Sequence, residues 1–191
     1  TLPDPPATLI IIGSRVARDI CRYPDLGRTL TNTDTAWAVT EDATGKVLRS
    51  GDLPPHLLNL SGQWGRTDVP PPHSLIRRGA ARTQTATPEQ EARLGRYTAV
   101  LYSDTAGLTQ FGAFAETLDP GARSSDRHWH EEEDEFLYML AGTATLVEDD
   151  GAHALVPGDA CGWKAGVANG HQILNQTDAP CTYLIVGTRA P

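Results

Sequence analysis

"RHWHEEEDEFLYMLAG", residues 127–142, places two histidines one residue apart and follows them with five consecutive acids. On a β-strand, side chains at positions i and i+2 share a face, and their Cα atoms lie about 6.6 Å apart. If this stretch is extended, His128 and His130 point to the same side and their imidazoles can reach one ion. Neutral imidazole is a ligand for Zn, Cu, Fe and Ni. A His-x-His pair in an acidic loop is equally compatible with a plain surface feature, so this stretch by itself leaves both readings open.

The alternation of faces selects one acid as a further ligand. Glu135 would be the first residue of the next strand, because Leu137 and Met139 would follow it on the inward face. Residues 131–134 are then a solvated turn. A third imidazole is available at His171, in the predicted strand "HQILN". Three histidines and one carboxylate leave about two positions open on an octahedral ion, so we expect one divalent transition metal per chain: Fe, Mn, Ni or Zn.

Short strand-like segments separated by turns fill the chain from Tyr97 onward. "LTQFGAFAETL" and "CTYLIVGT" are examples, and turn residues such as Asp149-Asp150-Gly151 lie between such segments. This pattern is typical of an all-β sandwich or small barrel. We therefore predict an N-terminal extension over residues 1–95 and a β-barrel over residues 96–191.

The extension contains two local signals. "TAWAVTEDATGKVLRS" predicts a hairpin with Gly45 in its turn. "TPEQEARLG" predicts a short helix that is capped by Thr87 and ended by Gly95. "DLPPHLL" and "DVPPPHS" fit neither a helix interior nor a central strand, since proline lacks the amide donor. The apolar stretch "TLIIIGSRV" is predicted as a strand with too little sequence around it to form a core. The extension should therefore pack on the barrel or on a partner subunit.

Composition limits the classes of partner. The chain has 191 residues and a formal charge of −8, which argues against nucleic acid or an anionic membrane surface. Its longest apolar run is too short to span a bilayer, and the first residues lack the basic start of a secretory signal. Three cysteines without a Cys-x-x-Cys spacing fit a reducing compartment. We expect a cytoplasmic homodimer that binds a small molecule.

The spacing of the candidate ligands resembles the first motif of the cupin superfamily. That motif is Gly, five residues, His-x-His, three or four residues, Glu, six residues and Gly. This chain has the matching residues, with six residues instead of five after the first glycine: Gly121, His128, His130, Glu135 and Gly142.

The second cupin motif is also present. The matching residues are Pro157-Gly158-Asp159, Gly166, His171 and Asn175. The chain departs from the motif at Lys164, which stands where proline is usual, and at Asn169-Gly170, which are inserted before the histidine. "AGVANGHQILNQTDAPCTYLIVGT" is similar to a group of single-domain, metal-binding cupins that are mostly of unassigned function. The resemblance covers about residues 108–188.

This resemblance implies a double-stranded β-helix, which is a jelly roll of two sheets. It also implies that His128, His130, Glu135 and His171 bind the metal at the open end of the barrel. Dioxygenase chemistry is the most frequent use of three histidines and one glutamate in cupins, and lyase or isomerase chemistry is next. The alternatives to a metal-dependent enzyme are a non-catalytic binding module for a small metabolite and a structural barrel with a vestigial metal.

Other side chains are candidates near the metal. Lys164 is a candidate to bind a carboxylate or to act as a base, or it merely replaces the usual proline. Tyr138 and Trp163 are candidates to line the mouth, although aromatic residues in a small barrel are usually core. Tyr138 is also a candidate to move a proton, as a lyase or isomerase requires. The four ligands carry one negative charge against a divalent ion, which favours an anionic, oxygen-bearing substrate. Arg127 and Lys164 would reinforce that preference if they reach the site.

Overall fold

The computed structural model describes residues 9–13, 19–33, 35–53 and 74–189. The chain divides into two compact units, Thr1–Gln63 and Trp64–Pro191. This division lies earlier than the one expected near residue 95, because a strand at Arg82–Thr85 pairs with Tyr97–Leu101 and so belongs to the second unit. No helix among the described residues is long and apolar enough to cross a bilayer.

The described part of the first unit is a four-stranded antiparallel meander. Its strands are β1 (Asp19–Tyr23), β2 (Arg28–Asn32), β3 (Ala36–Glu41) and β4 (Val47–Asp52). The predicted hairpin is confirmed as β3–β4. Residues 9–13 of the predicted apolar strand "TLIIIGSRV" form no strand, and the rest of it lies outside the described residues. The two proline-rich stretches also fall mostly outside them.

The second unit consists of two antiparallel sheets. Its strands are β5 (Arg82–Thr85), β6 (Tyr97–Leu101), β7 (Phe111–Leu118), β8 (Glu135–Ala141), β9 (Ala144–Glu148), β10 (Gly151–Leu155), β11 (Ala160–Trp163), β12 (Gln172–Leu174) and β13 (Cys181–Thr188). One sheet has the order β11-β8-β13-β7-β6-β5 and the other β10-β9-β12. Side chains of both sheets share one buried core, as in the predicted jelly roll.

The predicted helix is confirmed as α1 (Pro88–Leu94), which connects β5 and β6. Thr87 and Gln90 form the reciprocal capping box. Gly95 ends the helix at a φ of 82°, and a Cβ at this position would lie 2.7 Å from the Cα of Ala122. The Arg123 N–H donates to the carbonyl of Leu94. The end of α1 therefore packs closely on the segment that leads to the two histidines. A second helix, α2 (Tyr102–Ala106), follows β6.

The strand register aligns the inward side chains of the larger sheet in rows. Tyr183 on β13 lies opposite Met139 on β8 and Glu116 on β7. Met139 and Tyr183 are fully buried, as is Leu137. Glu135 begins the same face of β8, as predicted, and lies opposite Gly187. This inward face therefore carries two carboxylates at different depths.

Candidate metal centre

Backbone hydrogen bonds bring the three candidate histidines to one end of the barrel. The N–H of His128 donates to the carbonyl of His171 at 3.2 Å, and the N–H of His171 donates back at 2.8 Å. The two residues thus form an isolated antiparallel bridge. The carbonyl of His130 accepts from the N–H of Gly166 at 2.9 Å. The segments before β8 and before β12 are therefore joined where the imidazoles lie.

The four predicted ligands lie together. Glu135 Oε2 is 3.1 Å from Nε2 of His130 and 3.4 Å from Nε2 of His171. Potential ligand atoms of His128, His130 and Glu135 all lie within 4.8 Å of one another, a group that could hold a metal ion. The His171 ring lies outside that tightest group, with its centroid 5.0 Å from that of His128 and 6.4 Å from that of His130.

The hydrogen bonds of the rings indicate which nitrogens are available. Nδ1 of His128 lies 2.9 Å from the carbonyl oxygen of Asp126 and 3.1 Å from Oγ of Ser125. A hydrogen on Nδ1 satisfies the carbonyl and leaves the Nε2 lone pair for a metal. His171 is buried, yet neither of its ring nitrogens has a hydrogen-bond partner among the described residues. Unsatisfied buried polar atoms are rare and costly, and a bound ion would satisfy one of them. The residues present therefore fit a divalent transition metal.

The charge of the site is consistent with metal binding. Burial by itself raises the pKa of Glu135, but the neighbouring rings of His171, His130 and His128 outweigh this effect and lower its pKa below the ordinary value. The carboxylate is therefore ionised at neutral pH and offers a charged oxygen.

A cavity of about 480 Å³ extends from these ligands into the barrel. Part of its wall is apolar: Leu101, Phe114, Ile173 and Ile185. Its polar lining includes Glu133, from the acidic turn after His130. A cavity of this size, in which polar groups converge beside an apolar wall, is typical of a small-molecule site.

A carboxyl–phenol pair lies in the same cavity and was not predicted from the sequence. The Tyr183 hydroxyl donates a short hydrogen bond to Oε2 of Glu116, and both residues are buried. Burial raises the pKa of Glu116 to about 7, although the Tyr183 hydrogen bond acts in the opposite direction. The sequence carried one signal for Glu116. This acid alternates with Phe114 and Leu118 along the strand, so its side chain must share their inward face.

The cationic lining of the cavity also differs from the sequence interpretation. Arg189 is the one arginine or lysine among the described lining residues. Its Nη1 donates to the carbonyl of Leu108 at 2.9 Å and its Nη2 pairs with Asp104, so the guanidinium is held in place.

Of the other side chains that the sequence suggested near the metal, the described lining of the cavity includes Trp163 but not Lys164, Tyr138 or Arg127. Lys164 is exposed. Tyr138 is half-buried, and strand alternation places its side chain on the opposite face from Leu137. Arg127 forms an ion pair with Asp149.

Comparison with known proteins agrees with this fold. The family model described as "Cupin domain" matches residues 114–187. A structure from Silicibacter pomeroyi, described as a sugar phosphate isomerase from a cupin superfamily, is 40% identical, with a TM-score of 0.57 over 61% of this chain and 76% of that one. A "predicted oxalate decarboxylase" from Thermotoga maritima is 19% identical, with a TM-score of 0.51 over 61% of this chain and 99% of that one, a likeness of fold alone. No curated protein sequence matches the chain significantly. The chain belongs to the cupin superfamily.

Proposed function

We propose that this cupin is a metal-dependent isomerase that moves a proton between adjacent carbons of a small anionic hydroxy-carbonyl metabolite, of the sugar phosphate class. The observation that carries the proposal is that the ligand cluster and the buried Glu116–Tyr183 pair line one cavity. The 40% identical protein from Silicibacter pomeroyi, described as a sugar phosphate isomerase, supports the choice of reaction.

The metal site follows from the four ligands. His128, His130, Glu135 and His171 would hold one divalent ion, Fe, Mn, Ni or Zn, through neutral imidazole nitrogens and one carboxylate oxygen. When bound, such an ion acts as a Lewis acid that polarises a substrate carbonyl or hydroxyl oxygen.

Glu116 is the residue proposed to transfer the proton. As a carboxylate it takes the proton from the carbon beside the substrate carbonyl and returns it to the former carbonyl carbon. The hydroxyl proton passes to the other substrate oxygen, so no atom is gained or lost and no oxidant is needed. A pKa of about 7 suits a group that must both accept and release a proton near neutral pH. The Tyr183 hydroxyl holds the carboxyl oxygen in place.

Arg189 is proposed to bind the anionic group of the substrate. Its guanidinium is oriented by Asp104 and Leu108 at the cavity wall. Arginine recognises phosphate and carboxylate through paired N–H donors. The apolar wall would then accept the carbon skeleton between the anionic group and the ligands.

The test is proton exchange in heavy water. Metal-loaded protein is incubated with a panel of aldose and ketose phosphates, and deuterium incorporation and product formation are followed by NMR. We expect exchange with at least one substrate and a loss of about 10²-fold or more in Glu116→Gln, at unchanged metal content. Glu132→Gln is the matched control at an exposed turn residue.

Three results of this experiment would contradict the isomerase proposal in different ways. Oxygen consumption without proton exchange would replace the proposal with the dioxygenase chemistry that the sequence favoured. Saturable binding without turnover would indicate a non-catalytic binding module. Exchange that survives in Glu116→Gln would remove Glu116 from the mechanism.

A further inference from the structure

His171 differs from the other two ligand histidines in how its ring is held. The His128 ring is oriented from outside the ligand cluster by the Asp126 carbonyl, whereas Nε2 of His130 contacts Oε2 of Glu135 within the cluster. Nε2 of His171 lies 3.4 Å from the same Glu135 oxygen without forming a hydrogen bond, and its Nδ1 has no partner among the described residues. Metal-binding histidines usually donate their second N–H to a carboxylate, a carbonyl or water, which fixes the ring. Another contact must therefore restrain this imidazole.

The contact is made by Trp163. Its indole stacks on the His171 imidazole with ring centroids 3.9 Å apart and planes 13° from parallel. Trp163 is buried, and its Nε1–H donates to Oε1 of Glu148 at 2.8 Å. The same oxygen accepts a 2.7 Å hydrogen bond from Nδ2 of Asn169. The indole plane is therefore fixed by a carboxylate that is itself held by an amide.

Asn169 belongs to the two-residue insertion that separates this chain from the usual second cupin motif. Its Oδ1 accepts from the N–H of Asp149, in the turn between β9 and β10. A Cβ at the neighbouring Gly170 would lie 2.9 Å from Nε of Arg127, which pairs with Asp149. Glycine at 170 therefore lets the arginine lie across the insertion. Asn169 therefore contacts this turn directly, and Gly170 makes room for the arginine that pairs with it.

We propose that Trp163, Glu148 and Asn169 form a brace that holds the His171 ring in its metal-binding orientation, and that the Asn169-Gly170 insertion supplies this brace. Trp163 and Asn169 are thus positioning residues. The inference rests on the metal centre of the proposed function and is independent of its reaction.

The experiment measures binding of the metal alone. The Kd for Zn²⁺ is determined by chelator competition, and the visible spectrum of the Co²⁺-loaded protein reports ligand geometry. We expect Trp163→Ala to raise the Kd by about 10- to 100-fold, as loss of an outer partner of a ligand does, and to alter the Co²⁺ spectrum. Trp163→Phe keeps an aromatic ring against His171 and should recover part of the affinity. Asn169→Ala should weaken binding less than Trp163→Ala and shift the same spectral bands.

Two controls separate the possible results. Leu155→Ala removes core packing outside the brace and should lower the melting temperature of the metal-free protein with little change in Kd. His171→Ala should weaken binding at least as much as Trp163→Ala. If His171→Ala weakens binding while Trp163→Ala and Asn169→Ala match the parent, the brace is wrong and the metal centre stands. If neither His128→Ala nor His171→Ala changes the Kd, the metal centre itself is overturned, and the brace with it.

Discussion

His128 is the candidate ligand whose ring nitrogens are assigned most directly, because the Asp126 carbonyl can only accept and so takes the Nδ1 hydrogen. Replacing His128 with alanine should abolish stoichiometric metal binding, since it removes one member of the tightest ligand group. Glu132→Ala should leave metal content near one ion per chain, because Glu132 is an exposed residue of the acidic turn. Elemental analysis of both proteins after dialysis against Fe, Mn, Ni or Zn checks this. A metal-free parent would contradict it.

The raised pKa of the buried Glu116 carboxyl predicts how the stability of the fold depends on pH. Burial raises its pKa from 4.5 to about 7, so the folded metal-free protein holds a proton that the unfolded chain releases in that interval. Below about pH 4.5 the carboxyl is protonated in both the folded and the unfolded state. As the pH rises toward 7, only the unfolded chain releases the proton, so the free energy of unfolding falls by about 1.4 kcal/mol per pH unit. Relative to the parent, Glu116→Gln should gain stability over this range, by roughly 3 kcal/mol at most.

Urea unfolding at several pH values in the presence of a chelator measures that difference. The exposed-site variant Glu132→Gln is the control, and its unfolding free energy should run parallel to that of the parent. A difference between Glu116→Gln and the parent that does not change with pH would show that Glu116 titrates normally.

Binding of an anion distinguishes the role proposed for Arg189 from the role that the sequence suggested for Lys164. Arg189→Met should weaken binding of inorganic phosphate by about 1 kcal/mol, because the arginine lines the cavity and is partly solvated. Lys164→Met is the matched control, since Lys164 is exposed and not among the lining residues. Calorimetric titration of the metal-loaded variants compares them. A larger loss in Lys164→Met would restore the role that the sequence interpretation gave to Lys164.

At the scale of elements, the turn after β8 depends on one glycine. Gly142 has a φ of 72°, and a Cβ there would lie 2.5 Å from the Pro180 carbonyl oxygen before β13. Gly142→Ala should therefore lower the free energy of unfolding by about 1–3 kcal/mol. Gly162→Ala in β11 is the control, because its Cβ would meet nothing closer than 4.0 Å. Denaturant midpoints of both variants provide the measurement, and equal midpoints would contradict the close approach.

The elements that the sequence predicted well are those with local signals. Helix α1 follows from Thr87, Pro88, Gln90 and Gly95, and the β3–β4 hairpin from a glycine-containing turn between alternating runs. Strand β5 was not predicted, because all four of its residues are exposed and carry no alternation. Its existence depends on pairing with β6, a partner that lies beyond the intervening helix.

At the scale of the whole molecule, the first unit has very little core of its own. Among its described residues only Thr29 and Leu53 are buried. A fragment of residues 1–63 should therefore show no cooperative thermal unfolding, whereas residues 64–191 contain the shared core of the two sheets and should unfold cooperatively. Calorimetry of the two fragments decides this, and a cooperative transition in residues 1–63 would contradict it. The expected homodimer stays a prediction, which light scattering on the full chain tests.

The sequence by itself determined the jelly-roll class and predicted the candidate ligands, because strand alternation and motif spacing are local and countable. Those candidates are His128, His130, Glu135 and His171. Only the tertiary structure revealed the Glu116–Tyr183 pair, whose members are 67 residues apart along the chain. The stacking of Trp163 on His171 likewise brings together the ends of two strands. Such contacts are set by the register between non-adjacent strands, and a one-residue slip in register would turn each side chain to the other face. The surroundings of the candidate metal centre were therefore decided by strand pairing, which local patterns do not encode.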